Sequence, residues 1–117
     1  MIYLIFGDDK VQIRVKLQRY LQKYDQHNVF QVVSKTASSA QINDLLRARS
    51  MFESKRVVVL EGKVDAKAID WDVVRATDAE CDLIIFFEGV VKTNEALYKE
   101  VLERGGEIEK CEFEPER

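Results

Sequence analysis

Five short runs rich in β-branched and aromatic residues recur along the chain: Ile2 to Phe6, Val29 to Val33, Arg56 to Leu60, Leu83 to Phe87 and Glu107 to Phe113. Each is separated from the next by a segment with helical spacing. That alternation is the signature of a βαβ series, because neighbouring parallel strands must be joined by a crossover, usually a helix. Val57-Val58-Val59-Leu60 and Leu83-Ile84-Ile85-Phe86-Phe87 are apolar without interruption, as strands are when helices cover both faces, so they belong at the centre of the sheet. The last run alternates with charges and reads as an edge. With 117 residues, 46% of them apolar, the chain can build one core, so residues 1–113 are taken as a single domain and 114–117 as a tail at the start of an interdomain linker. The predicted architecture is a three-layer α/β/α fold around a five-stranded, mainly parallel sheet.

Between the runs, Ile13, Leu17, Tyr20, Leu21 and Tyr24 keep one helical stripe, with Asp8 or Asp9 in position to cap its start. Ser38 and Gln41 have capping-box spacing ahead of Ile42, Leu45 and Leu46. Ala66, Ile69, Val73 and Ala76 predict a third helix. A fourth begins at Thr93 or Asn94, carries Leu97, Val101 and Leu102, and stops at Gly105-Gly106.

Much of chemistry is excluded by what these segments lack. No apolar run approaches the roughly 18 to 20 residues of a membrane span, and the first strand starts without a basic leader, so a soluble, cytoplasmic protein is expected. Cys81 and Cys111 stand thirty residues apart with no nearby His, which reads as two reduced, half-buried thiols rather than a metal or redox site. His27, the sole histidine, lies in the polar connection Asp25-Gln26-His27-Asn28 and is assigned to a surface loop. No catalytic, cofactor-binding or metal-binding residue is expected.

A nucleotide site needs separate consideration, since Gly7 ends the first strand and opens a helix, where a phosphate loop would sit. A G-x-x-x-x-G-K-[ST] loop would set its second Gly and its Lys at positions 12 and 13, which are Gln12 and Ile13. Asp8 and Asp9 suit the positive end of a helix dipole and repel a triphosphate. Leu60-Glu61 and Phe87-Glu88 offer single glutamates where a magnesium-binding Asp would be needed. ATP hydrolysis is not expected.

Charge is divided unevenly. Through Arg56 there are ten Lys/Arg and five Asp/Glu, a balance of +5; from Val57 onward there are eight and sixteen, a balance of -8. Lys16, Arg19 and Lys23 fall on one flank of the first helix and read as a solvated face without interleaved aromatics, so direct DNA contact is not expected. The basic half also contains Arg47-Ala48-Arg49-Ser50-Met51-Phe52-Glu53-Ser54-Lys55-Arg56, in which two large apolar residues stand in a polar connector. Met51 and Phe52 either fold under as a lid on the core or project as an anchor for a partner's apolar pocket, with basic neighbours steering toward an acidic partner.

Taken in order, Tyr3-Leu4-Ile5-Phe6-Gly7-Asp8-Asp9, the helix Ile42 to Arg49 running into Ser50-Met51-Phe52, the strand Arg56 to Glu61, Leu83 to Glu88, and Leu97-Tyr98-Lys99 resemble the N-terminal domain of the delta subunit of bacterial DNA polymerase III over nearly the whole chain. The resemblance implies a degenerate P-loop (AAA+/RecA-like) architecture without an ATP site and no intrinsic enzyme activity. It implies a sliding clamp as partner, bound and opened through a leucine-phenylalanine pair that maps onto Met51 and Phe52, with flanking contributions from Arg47, Arg49, Ser50 and Lys55. Met for Leu conserves volume. Other clamp-loader subunits would be contacted through domains that family members carry beyond this length; this chain is therefore expected to be either a fragment or a free-standing relative.

Two other readings compete. A strand followed by Asp8-Asp9, with Lys110 on the last strand, resembles a response-regulator receiver domain, although its phosphoacceptor would have to be Glu61 and its fourth strand ends in Glu88 rather than a hydroxyl residue. A free-standing protein-interaction domain is the third possibility.

Overall fold

The computed structural model describes residues 1–48 and 55–112. Five strands, β1 (Ile2–Gly7), β2 (Val29–Val33), β3 (Arg56–Glu61), β4 (Cys81–Glu88) and β5 (Glu107–Cys111), alternate with four helices, α1 (Lys10–Leu21), α2 (Ser39–Arg47), α3 (Trp71–Ala76) and α4 (Ala96–Glu103). All five strands run parallel in the order β2-β3-β4-β1-β5. The continuously apolar strands β3 and β4 are interior, and β5 is an edge, as their sequences require. Among the described residues no helix is long and apolar enough to cross a membrane.

Strand order also determines where the helices go. The β1-to-β2 connection travels across β4 and β3 to the far edge, whereas every later connection travels back in the opposite direction. Right-handed crossovers then require α1 on one face and α2, α3 and α4 on the other. The core divides accordingly. Tyr3, Ile5, Val57, Val59, Ile84 and Phe86 pack against Ile13 and Leu17 of α1. Ile2, Leu4, Phe6, Val58, Leu60, Leu83, Ile85 and Phe87 pack against Ile42, Leu46, Val74, Leu97 and Val101 of the other three helices.

Local chemistry marks the element ends. Asp9 caps α1 through Gln12 N–H, and Ser38 with Gln41 completes a capping box on α2. The third predicted helix is instead a 3-10 turn over Ala66–Ala68 followed by the short α3. Two aspartates break it, because Asp65 caps the turn and Asp70 accepts from Asp72 and Val73 N–H to start a new helix. The fourth helix begins later than predicted, at Ala96, and Glu95 at its N-cap makes no side-chain capping bond. Helix α2 ends at Arg47 rather than Arg49, and β5 ends at Cys111. Both cysteines are fully buried, Cys81 at the start of β4 and Cys111 at the end of β5, rather than half-buried.

Candidate functional site

Because the direction of the crossovers reverses at β1, the carboxyl end of β1 is the topological switch point, where open α/β sheets bind ligands. Here the backbone is closed on itself. The Gly7 carbonyl accepts from Gly89 N–H at 2.8 Å, and Asp9 N–H donates to the Cys111 carbonyl at 3.2 Å. Gly7 has φ 146°, and a Cβ there would lie 1.8 Å from the Cys111 oxygen, so only glycine fits against the end of β5. Asp9 caps the helix whose N-terminus would face a phosphate. Lys10 is paired with Glu88 at 3.2 Å. A cleft of about 560 Å³ beside this point is lined by Lys10, Arg14, Glu61, Lys63, Phe86 and Glu88 among others. Three cations, Lys10, Arg14 and Lys63, and two carboxylates, Glu61 and Glu88, line it together.

The opposite end of the sheet holds the second candidate. Met51, Phe52, Arg49 and Ser50 lie outside the described residues, but both stems of their segment are described. Arg56, the first residue of β3, is 2% exposed and turns its guanidinium back onto the last turn of α2, donating to the Leu45 carbonyl at 2.8 Å and the Leu46 carbonyl at 3.4 Å. It thereby supplies side-chain donors to two carbonyls in the last turn of α2. Its Nε has no acceptor among the described residues. The chain thus leaves α2 and returns to β3 at points tied together by one buried side chain.

Beside this stem, Asp82 is buried at the start of β4. Its carboxylate accepts from Lys55 Nζ at 3.0 Å, from the Met1 amine at 2.8 Å and from the Tyr24 hydroxyl. Burial alone would raise the Asp82 carboxyl, but these three donors outweigh it and hold the group below the usual carboxylate range. Lys55 moves up, chiefly through its bond to Asp82, and Tyr24 moves up through burial and the same carboxylate.

These contacts correct part of the charge reading. Arg56 is buried and cannot steer a partner. Arg47 is paired with Asp70 at 3.3 Å and lies 3.7 Å from Asp44, and Lys55 is paired with Asp82, so neither is an uncommitted cation. Nor is the flank of α1 simply solvated: Lys16 bonds Glu109 at 2.7 Å, and the Lys23 ammonium lies 5.4, 5.7 and 6.0 Å from the ring centroids of Tyr3, Tyr20 and Tyr24. Sequence reasoning missed Asp82 and the inward turn of Arg56. A charged residue opening an otherwise apolar strand was the available signal for both. His27 is exposed, as expected. Among the described residues no three His, Cys, Asp or Glu side chains gather as a metal site would need.

Compared with solved structures, the chain aligns over 95% of its length with the Bacillus subtilis DNA clamp loader delta protein, at a TM-score of 0.71 and 10% identity. The fold matches that of a clamp loader delta protein. The identity is low, so the likeness is one of fold, and the chain spans 38% of that protein's length. A DNA polymerase III gamma subunit-related protein of Thermotoga maritima aligns over all of the chain and 42% of its own, at 13% identity and a TM-score of 0.45, too low to add weight. No protein-family model and no curated protein matches the chain. The receiver-domain reading does not survive the strand order: receivers place β1 between β2 and β3, whereas here it lies between β4 and β5.

Proposed function

We propose that this chain is the clamp-binding domain of a clamp-loader delta subunit, acting in DNA replication and having no ATPase activity of its own. The observation that carries the reading is the all-parallel β2-β3-β4-β1-β5 sheet, whose fold matches the delta protein over 95% of the chain. In this reading Met51 and Phe52 enter an apolar pocket on a ring-shaped sliding clamp. Arg47, Arg49, Ser50 and Lys55 contribute around them. The fixed stems support such a role, since Arg56 holds the end of α2 and the start of β3 at a set separation. The exposed ion pair Arg47–Asp70 contributes little, so Arg47 can exchange Asp70 for a partner's carboxylate.

Opening of the clamp would follow from tighter binding to its open-interface conformation, a population shift that needs no chemistry in this chain. The closed backbone at Gly7 and the Asp9 cap fit a P-loop position that has lost its nucleotide. Other loader subunits are proposed partners, direct DNA contact is not, and the place of action is the cytoplasm. The test is release of a fluorescent clamp from circular DNA. The wild-type chain should accelerate release and Phe52→Ala should not. Equal acceleration by both, or none by the wild type, would remove the opening mechanism.

A further inference from the structure

The two edges of the sheet are built differently. In β5 three of five residues, Glu107, Glu109 and Lys110, are charged, the usual protection of an open edge. The other edge strand, β2, reads Val29-Phe30-Gln31-Val32-Val33 and carries no charge. Val33 is 43% exposed.

The backbone of β2 has a self-complementary pattern. Ser34 N–H donates to the Glu61 carbonyl on β3, so by alternation Phe30 and Val32 also turn their backbone groups inward, and Val29, Gln31 and Val33 turn theirs outward. Two of the six outward groups are already used: Val29 N–H bonds the Gln26 carbonyl, and the Val33 carbonyl accepts from Thr36 and Ala37 N–H. The four that remain without a partner among the described residues are the Val29 carbonyl, both groups of Gln31, and Val33 N–H. They form two acceptors and two donors, placed symmetrically about Gln31.

We propose that β2 is a self-association edge, at which two copies of this chain pair antiparallel about Gln31 and join their sheets into one. In that register the two Gln31 residues exchange both of their bonds, and each Val33 N–H meets the other copy's Val29 carbonyl. All eight groups are satisfied in four bonds. A slip of two residues in either direction leaves only two of those bonds. The side chains agree with this register: Phe30 faces the second Val32 on the α2 side of the sheet, and Val29 faces the second Val33 on the α1 side. The Phe30–Val32 pairing also brings an aromatic ring to the mouth of a cleft of about 520 Å³ in which Val32, Val33, Ala37 and Leu45 stand beside the polar Thr36, Gln41 and Asp44. Charge selects the direction. Asp25 precedes the strand and Lys35 follows it, so antiparallel copies set each Lys35 toward the other's Asp25, whereas parallel copies would set like charges together.

Sedimentation equilibrium of the 117-residue chain tests this, read from low micromolar to millimolar concentration. The mass should rise from 13.6 kDa toward twice that value. Gln31→Pro removes an outward donor and leaves the β3 ladder intact, since proline is tolerated on an edge strand with its nitrogen facing out. Val33→Lys puts a charge at the junction. Each should weaken the dimer at least tenfold with an unchanged far-ultraviolet circular dichroism spectrum. If Gln31→Pro fails to fold, Val33→Lys alone decides. A wild-type chain that stays at 13.6 kDa throughout overturns the proposal, as does a dimer that Val33→Lys leaves unaffected.

Discussion

Replacing Arg56 with methionine isolates the tie between α2 and β3. The side chain is 2% exposed, and its guanidinium supplies the donors for the Leu45 and Leu46 carbonyls. Methionine fills much of the same volume but donates nothing, leaving two carbonyls without that donor at a buried helix end. An unsatisfied buried acceptor costs about 1–3 kcal/mol, so the gross loss is about 2–6 kcal/mol. Against this stands the relief of a buried charge and of an Nε that has no acceptor among the described residues, together about 1–3 kcal/mol. The net expectation is a destabilisation of about 2 kcal/mol. With a urea m-value of about 1–3 kcal/mol/M, the unfolding midpoint should fall by about 1 M. An unchanged or raised midpoint would mean that the guanidinium does not hold α2 to β3, and the tied-stem account would fail with it.

Three further expectations follow from the same contacts. Asp82 has a depressed pKa in the fold, so its contribution is present above the unfolded value near pH 4 and is lost as pH falls through the folded value. Asp82→Asn should therefore cost about 2 kcal/mol at pH 7, with the gap to wild type closing below about pH 4; a gap that is constant down to pH 2 would contradict the assignment. Gly7→Ala forces a Cβ to 1.8 Å from the Cys111 oxygen and should lower stability by more than about 3 kcal/mol, so a melting temperature within a few degrees of wild type would refute the close approach of β1 and β5. Millimolar ATP with magnesium should leave the melting temperature where it is, because a ligand held by the native state would raise it.

Legibility in the sequence followed the range of the interactions. The five strands and α1 were legible because burial imposes periods of two or 3.6 residues, or continuous apolar runs, on the local sequence. The ends of α2 and α4 were legible only to within a few residues, since capping depends on which side chain turns back. The split of the third helix was knowable in principle from Asp65 and Asp70, which cap better than they propagate. Strand order was not legible, because pairing β1 with both β4 and β5 is decided by contacts about 80 to 100 residues apart. The same holds for Arg56: a basic residue after Lys55 looks like part of a charged connector until its side chain is seen turning inward to α2. Met51 and Phe52 are proposed as an anchor from sequence contrast and family resemblance, and the structure describes the stems on either side of them.

Affinity for a purified sliding clamp tests the central claim most directly, measured by biolayer interferometry with wild type, Phe52→Ala and Met51→Leu side by side. The wild type should bind reversibly. Phe52→Ala should lose about 2 kcal/mol or more, roughly 30-fold in Kd, with an unchanged circular dichroism spectrum. Met51→Leu should bind at least as tightly as wild type. No wild-type binding, or equal affinity for Phe52→Ala, would contradict the account.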